Sequence, residues 1–393
     1  MRDTRESGEM LEAALAAGIA AAGGHALLGG VLPTPGAALL VRRFGFDLAA
    51  VVSASHNPYR DNGIKFFGPE GTKLADEQER EIERLVAAQE GEAADGRVRE
   101  LHGAGGDYLR ELESRFAGLN LGGKRILLDC ANGATHRVAP EIFRRLGADV
   151  DAIAVEPDGR NINHGVGSTH IEKVAAAVKE GRYDAGFAFD GDGDRVLAVD
   201  RTGAVVDGDE LIALAALHLR DAGRLPGDGV AVTVMTNYGF HQAMREAGVA
   251  VATTPVGDRH VLAELLKRGW ALGGEQSGHI IETGFVPSGD GIASALLTLG
   301  SLGDRALAER DAMVKLPQRL VNVQVGNRDK LDAAKAVWEA VERESDGLSG
   351  RGRVLVRPSG TEPVVRVMVE APDTAECEAV LERLVAVVER DLA

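Results

Sequence analysis

The sequence predicts an α/β fold built in four units, three alike in rhythm and a smaller fourth. Apolar, strand-like runs alternate with amphipathic helical stretches along almost the whole chain, the pattern of layered units with mainly parallel sheets. Aromatic residues make up only 4% of the 393 positions while glycine supplies 50, so the cores must be built from Ala, Val, Leu and Ile with many tight turns. From about Leu320 the rhythm changes to strand, helix, two strands and helix, with the charge spacing of an exposed amphipathic face.

Residues 10–22 have helical spacing, "HALLGGVLPTPG" is strand and turn, "GAALLVRRFG" helix, "LAAVVSASH" strand, and 76–89 a charged amphipathic helix. A break in style falls near "AGLNLGGKR". The strand "RILLDCANG", the helix "VAPEIFRRLG" and the strand "DVDAIAVEP" follow, then a helix over 171–181 leading into "YDAGFAFDGDGDR". "VLAVDRTGAVVDG" has the form of a hairpin around Arg201-Thr202-Gly203. A third round runs through "DELIALAALHLRDAG", "GVAVTVMT", a helix over 239–247, "VATTPVGDR", "HVLAELLKRG" and "WALGGEQSGHI". The expected boundaries are 1–118, 119–208, 209–318 and 319–393.

A net charge of −16 repels nucleic acid and anionic membrane, so neither is an expected partner. It does not exclude an anionic small substrate, because a local cluster of Arg and Lys reverses the field inside one cleft. Two cysteines, Cys130 and Cys377, cannot build a disulfide framework and are expected as reduced thiols of a cytoplasmic protein. The opening "MRDTRESGEM" lacks a signal-peptide layout. The Ala/Gly-rich run 11–32 is interrupted by Glu12, His25 and five glycines, which argues for helix, turn and strand over a membrane span.

In "FAFDGDGDR", Asp190, Asp192 and Asp194 alternate with two glycines directly after an apolar strand. Three like charges placed together need a cation, and glycine lets the backbone fold tightly enough for them to converge. Hard oxygen ligands suit Mg²⁺. A calcium EF-hand is excluded, since Arg195 and Arg201 stand where that loop needs Gly and Glu. An acidic exposed turn is the plainer alternative. In "VRPSGTEPVVRVMVE", Arg357, Ser359, Gly360 and Thr361 suit a phosphate, though a hairpin loop favours the same residues. "GGEQSGHI" alternates Glu275, Ser277 and His279, as an extended loop with three polar side chains to one side or as a polar edge strand. Ser55, in "SASHNP", is by itself a turn serine. With a metal and an acid/base group nearby it suits a nucleophile that carries a phosphoryl group. Lys65 is a candidate for that group, with Ile64, Phe66 and Phe67 expected to desolvate it and lower its pKa.

"SASHNP" with "NGIKFF", "DGDGDR", "GGEQSGH" and "RPSGTEP", in this order and one per unit, resemble the α-D-phosphohexomutase superfamily, and its phosphoglucosamine mutase branch in particular. "RDTRESG", "LDCANGAT", "PDGRNIN" and "VGDR" are similar to the same family. The resemblance implies three similar α/β domains with mixed sheets plus a smaller C-terminal α+β domain around a central cleft. It implies that Ser55 is the phosphorylated active-site serine, with Asp190, Asp192, Asp194 and a phosphoserine oxygen around Mg²⁺. Arg195 lies near the phosphoryl group, Lys65 is an acid/base residue and His56 a neighbour of the phosphoserine. Glu275, Ser277 and His279 form the sugar loop, and Gly257, Asp258 and Arg259 a second one. Arg357, Ser359, Gly360 and Thr361 hold the non-reacting phosphate. The implied reaction turns glucosamine 6-phosphate into glucosamine 1-phosphate through a sugar 1,6-bisphosphate, toward UDP-N-acetylglucosamine, in a monomer or homodimer.

Phosphomannomutase/phosphoglucomutase activity and a truncated, non-catalytic phosphosugar-binding relative are the alternatives. The second arises because members of the family begin earlier, with a strand and a "GTDGIRG"-like loop. The expectation is a start upstream of Met1 and, in the chain as given, strands with unpaired backbone groups in the first unit. His164 and Val166 in "NHGVGSTH" are a smaller departure.

Overall fold

The computed structural model describes residues 1–88, 95–359 and 363–392. They form two compact units: one of residues 1–235 and 249–310, the other of 236–248 and 311–393.

The first unit opens with α1 (Gly8–Ala21), β1 (His25–Leu28), α2 (Thr34–Phe44), β2 (Ala49–Val52), β3 (Ile64–Phe67), α3 (Asp76–Ala88), β4 (Arg97–Glu100) and α4 (Ala104–Arg115). Here β1 pairs with β4 in parallel and β2 with β3 antiparallel. Residues 1–3 bridge the two regions. Arg2 N–H donates to Gly30 O and Asp3 N–H to Val52 O, while Val52 N–H donates to Met1 O and Leu32 N–H to Arg2 O. On β2 these residues pair Val52 and, through the Met1 ammonium at 2.9 Å, the Ala50 carbonyl, while β3 is its one strand partner among the described residues.

The next stretch holds β5 (Arg125–Asp129), α5 (Val138–Arg145), β6 (Asp149–Ile153), α6 (Glu172–Gly181), β7 (Ala185–Phe189), β8 (Val196–Asp200) and β9 (Val205–Val206). Its sheet runs β6-β5-β7-β8-β9, parallel as far as β7 and antiparallel beyond. It is followed by α7 (Gly208–Asp221), β10 (Gly229–Thr233), α8 (Tyr238–Glu246), β11 (Ala250–Thr254), α9 (Asp258–Arg268), β12 (Leu272–Gly274), β13 (Ile280–Glu282), β14 (Val286–Gly289) and α10 (Gly291–Leu302). The second sheet, β11-β10-β12-β13-β14, changes from parallel to antiparallel at β12–β13. Both sheets are mixed, because short hairpins extend each parallel core. Central strands β7 and β10 are buried along their whole length, as a strand covered on both faces must be.

Helix α10 is apolar nearly all round and almost wholly buried. Its cap, Asp290, accepts from Ala293 N–H at 2.9 Å and from the buried Tyr108 hydroxyl at 2.9 and 2.8 Å.

The second unit contains α8 and, further along, β15 (Gln318–Gln324), α11 (Lys335–Gly347), β16 (Arg353–Pro358), β17 (Val364–Glu370) and α12 (Thr374–Leu392). Its antiparallel sheet, β15-β17-β16, packs Val323, Val356, Val365, Val367 and Val369 against Leu384 and Val388 of α12. Fully buried Glu370 ties the two stretches of this unit together. It pairs with Arg353 Nε at 2.7 Å and accepts from Tyr238 N–H at 2.9 Å, while Arg353 Nη2 donates to Thr236 O at 2.6 Å.

No helix among the described residues is long and apolar enough to cross a membrane. Both cysteines are buried, and burial pushes the Cys130 thiol up to about 12.

Burial raises Asp290 to about 6 against the pull of its hydrogen-bond donors. A carboxyl whose folded pKa is raised stabilises the fold in its protonated form. That stability is complete below about pH 4 and is lost as pH rises through about 6. Unfolding free energies from urea titrations are expected to fall over this window by up to about 3 kcal/mol more in the wild type than in Asp290→Asn, which keeps the cap acceptor and cannot ionise. Parallel pH profiles of the two proteins would rule this out.

Candidate active site

Ser55 follows β2 in a loop whose backbone is held from below. Its φ is +51°, a left-handed conformation rare for a serine and one that persists only under outside constraint. The constraint is Arg5, a guanidinium only 1% exposed. Arg5 Nη2 donates to Ser55 O at 2.8 Å, and Arg5 Nη1 donates to Pro58 O and, at 3.0 Å, to Asp61 O. Asp3 balances the charge, accepting from Arg5 Nε at 2.8 Å and from Ser53 Oγ at 2.6 Å. Ser53 Oγ in turn accepts from Ser55 N–H at 3.0 Å. Asn163 Nδ2 donates to Ser55 O at 2.9 Å and to Asn57 O at 3.1 Å. Sequence reasoning gave none of Asp3, Arg5, Ser53 or Asn163 a role. The signal available was the pair of charges in "RDTR" beside the chain start.

The acidic loop leaves β7 at Asp190 and returns at β8. One carboxylate oxygen from each of Asp190, Asp192 and Asp194 lies within 4.8 Å of the others, and all three residues are buried. Gly191 is required here, because a Cβ on it would stand 2.5 Å from Ser55 O. Ser55 Oγ donates to Asp190 Oδ2 at 2.5 Å. Thr34 Oγ1 donates to Asp192 Oδ2 at 2.6 Å, an acceptor shared with Lys65 Nζ at 2.6 Å. Asp192 Oδ1 and Asp194 Oδ1 are buried with no hydrogen-bond partner. Orphaned carboxylate oxygens at such spacing are what a hard divalent cation coordinates, so the residues present fit Mg²⁺.

The electrostatics divide the groups. Burial, then the Asp194 and Asp192 charges, hold Asp190 well above the usual carboxylate range. Asp194 is shifted well below it, because His279, Lys65 and Arg195 outweigh burial. Lys65 departs from expectation. Burial does pull its pKa down, but Asp192, and Asp194 at 3.9 Å, outweigh that and the net shift is upward. Its neighbour Ile64 is itself 41% exposed, a poor shield. His56 is lowered, first by partial burial and then by Arg195, and its Nδ1 lies 3.5 Å from Ser55 Oγ.

Residues 275–279 form a tight turn between β12 and β13, with Glu275 N–H donating to His279 O and Gly278 N–H to Glu275 O, both at 3.0 Å. This is a hairpin, so the extended alternation expected for Glu275, Ser277 and His279 does not hold. Ser277 is exposed, while His279, 3% exposed, faces Asp194 Oδ2 at 3.5 Å. Glu275 Oε1 accepts from Gly257 N–H at 3.0 Å, which joins the two sugar-loop candidates. Asp258 and Arg259 begin α9 and are engaged by side chains of the first stretch: Asp258 by Lys73, Arg259 by Asp76 and by Glu79 at 2.6 Å.

In the second unit, Arg357 and Arg366 are cross-strand partners. Burial, then Arg366, lowers the pKa of Arg357. Arg328 Nη1 donates to Ser359 O, and Ser359 is buried. Gly360 and Thr361 lie outside the described residues.

Family models match all along the chain: the phosphoglucomutase/phosphomannomutase alpha/beta/alpha domains I (1–93), II (106–203) and III (207–328), and the C-terminal domain (320–387). The phosphoglucosamine mutase of Moorella thermoacetica is 52% identical over 389 residues, 97% of this chain and 87% of the relative. That of Desulforudis audaxviator is 50% identical over 396 residues, 98% and 88%. The crystal structure of a phosphoglucomutase/phosphomannomutase family protein from Burkholderia thailandensis, 24% identical, shares the fold at a TM-score of 0.85, covering 99% of this chain and 88% of that one. Half the residues shared over nearly the whole chain, and four matching domains in order, settle the relationship: the chain belongs to the phosphoglucosamine mutase family of the phosphohexomutase superfamily.

Proposed function

We propose that the protein interconverts glucosamine 6-phosphate and glucosamine 1-phosphate in the cytoplasm, through phosphorylated Ser55 and a sugar 1,6-bisphosphate, as a step toward UDP-N-acetylglucosamine. The observation that carries this reading is Ser55 Oγ on Asp190 Oδ2 at 2.5 Å, inside a buried carboxylate triad with unpartnered oxygens. The names of the relatives and the "GGEQSGH" loop support the amino sugar as substrate.

In the first half-reaction a sugar hydroxyl attacks the phosphoryl group on Ser55. The bond from phosphorus to Ser55 Oγ breaks as the bond to the sugar oxygen forms, and Ser55 Oγ ends protonated, donating to Asp190 as it does here. The bisphosphate turns over and returns its other phosphoryl group to Ser55. Mg²⁺ held by Asp190, Asp192 and Asp194 with an oxygen of phosphorylated Ser55 would offset the charge on the transferring group. Lys65, held as an ammonium against Asp192, and Arg195 add positive charge beside it, and Lys65 is assigned as the acid that protonates the departing oxygen. His56 is the neighbour kept neutral, able to accept the proton of the attacking hydroxyl. The Arg5 and Asn163 contacts aim Ser55 before the substrate arrives, which supplies the positioning on which phosphoryl transfer depends.

Glu275 and Ser277 are assigned to the sugar hydroxyls. Gly257, Asp258 and Arg259 shape the turn beside them. Arg357, Ser359, Gly360 and Thr361 are assigned to the non-reacting phosphate, since two adjacent guanidiniums across a strand pair favour an anion.

Turnover of glucosamine 6-phosphate, glucose 6-phosphate and mannose 6-phosphate tests the substrate. The amino sugar is expected to lead in kcat/KM by about tenfold or more. A lead for mannose or glucose would replace this reading with phosphomannomutase/phosphoglucomutase activity. Ser55→Ala is expected to cut kcat at least ~10³-fold and to abolish the singly phosphorylated species in intact-mass spectra. Full turnover by that variant would remove Ser55 as the nucleophile.

A further inference from the structure

A line of four side chains leads away from the acidic triad to a lysine outside every loop assigned to the chemistry. His279 Nδ1 faces Asp194 Oδ2 at 3.5 Å. Its other nitrogen, Nε2, accepts from Gly289 N–H at 3.1 Å and lies 3.8 Å from Asp258 Oδ2. Asp258 Oδ2 is paired with Lys73 Nζ at 2.5 Å. Lys73 sits between β3 and α3, bridged through its backbone to Phe67. The line thus crosses from the first stretch of the chain, through the N-terminus of α9 and the 275–279 hairpin, to the acidic loop.

The chemistry fixes the direction of each contact. A backbone N–H can only donate, so Nε2 of His279 accepts from Gly289 and Nδ1 is the nitrogen that faces Asp194. A carboxylate 3.8 Å from that accepting nitrogen repels its lone pair. The same carboxylate also carries the sign of the nearby triad. The Lys73 ammonium offsets both repulsions. Packing leaves the imidazole no freedom to turn away: a Cβ on Gly289 would stand 2.6 Å from its ring. A second tie, Gly257 N–H to Glu275 Oε1, makes the start of α9 and the hairpin move together. A group that fixes Asp258 therefore also fixes the hairpin.

We propose that Lys73 is a positioning residue for phosphoryl transfer: through Asp258 it sets the 275–279 hairpin that meets the sugar, and through His279 it sets the carboxylate of Asp194. The inference rests on the assignments of Asp194 and the hairpin made above. Removing one partner of a partly buried ion pair leaves the other charge short of compensation. Without Lys73 the partly exposed Asp258 carboxylate keeps, among the described residues, the His279 contact, and its repulsion of Nε2 then shifts the hairpin. Groups that orient a metal ligand typically matter 10–100-fold in metal affinity.

The test compares Lys73→Met, Lys73→Arg and the double variant Lys73→Met/Asp258→Asn with the wild type. Two readouts are used: steady-state kinetics with glucosamine 6-phosphate, and Mn²⁺ binding followed by electron paramagnetic resonance on the fraction shown to be folded by circular dichroism. Lys73→Met is expected to raise KM about tenfold and to weaken Mn²⁺ binding about tenfold. Lys73→Arg keeps the charge and is expected to remain within about threefold of wild type in both. The double variant removes the stranded carboxylate and is expected to recover most of the Mn²⁺ affinity. The inference is overturned if Lys73→Met matches wild type in KM and Mn²⁺ affinity. It is equally overturned if Lys73→Arg is as impaired as Lys73→Met, or if folded Lys73→Met loses kcat with no change in KM or Mn²⁺ affinity. A wild type that binds Mn²⁺ but turns over no sugar phosphate would sink the proposed activity, while the Mn²⁺ arm still decides the role of Lys73 toward Asp194.

Discussion

Three carboxylates packed within 4.8 Å of one another, closed off from water, repel each other strongly. At that range each pair of unit charges costs about 4 kcal/mol at the effective dielectric typical of proteins. The surrounding structure answers that repulsion with groups from distant parts of the chain. Lys65 arrives from β3, the Thr34 hydroxyl from the start of α2, the Ser55 hydroxyl from the loop after β2, and His279 from the hairpin beyond β12. Each is close because the triad draws donors and cations to itself. The loop that would be the most unstable feature of the unit thereby organises it. The same concentration of negative charge keeps Lys65 protonated and makes the site receptive to a divalent cation.

The fold was readable where strands are buried on both faces. "YDAGFAF" and "GVAVT" are uninterrupted apolar runs because β7 and β10 have helices or strands on every side. Of the elements that sequence reading passed over, which also include β3, β14 and α10, two show the physical reason for silence. Strand β4, "RVRE", is exposed along its length, so no apolar alternation marks it. Helix α4 carries two poor helix formers, Gly105 and Gly106, in its first turn and is held by Tyr108, Leu109 and Leu112 packing inward. Pairing with β1 decides the first and tertiary burial the second, and the local pattern records neither.

The acidic loop and the serine loop were legible because their compositions are rare: aspartate every second residue among glycines, and Ser-His-Asn-Pro after a strand. Partnerships between remote residues were not. Arg5 with Ser55, Asn163 with Ser55, and Lys73 with Asp258 join residues 50, 108 and 185 positions apart, and each partner alone is an ordinary surface-type residue. The hairpin at 275–279 was misjudged for a local reason. Gly278, at φ +89°, turns the chain back so tightly that the side-chain alternation of an extended segment is lost. In the second unit the adjacent Arg357 and Arg366 were half visible. The sequence places both near "RPSG", but only the register of β16 on β17 sets them side by side.

Gly191 has a consequence beyond its own turn. The serine loop and the acidic loop approach so closely there that the space belongs to a hydrogen atom, with 2.5 Å between a would-be methyl and Ser55 O. Any other residue is a wedge between Ser55 and the carboxylates. It leaves the sheets on either side intact while spreading the two loops apart. A chain altered only there would keep its strands and helices while the 2.5 Å reach from Ser55 Oγ to Asp190 is pulled apart.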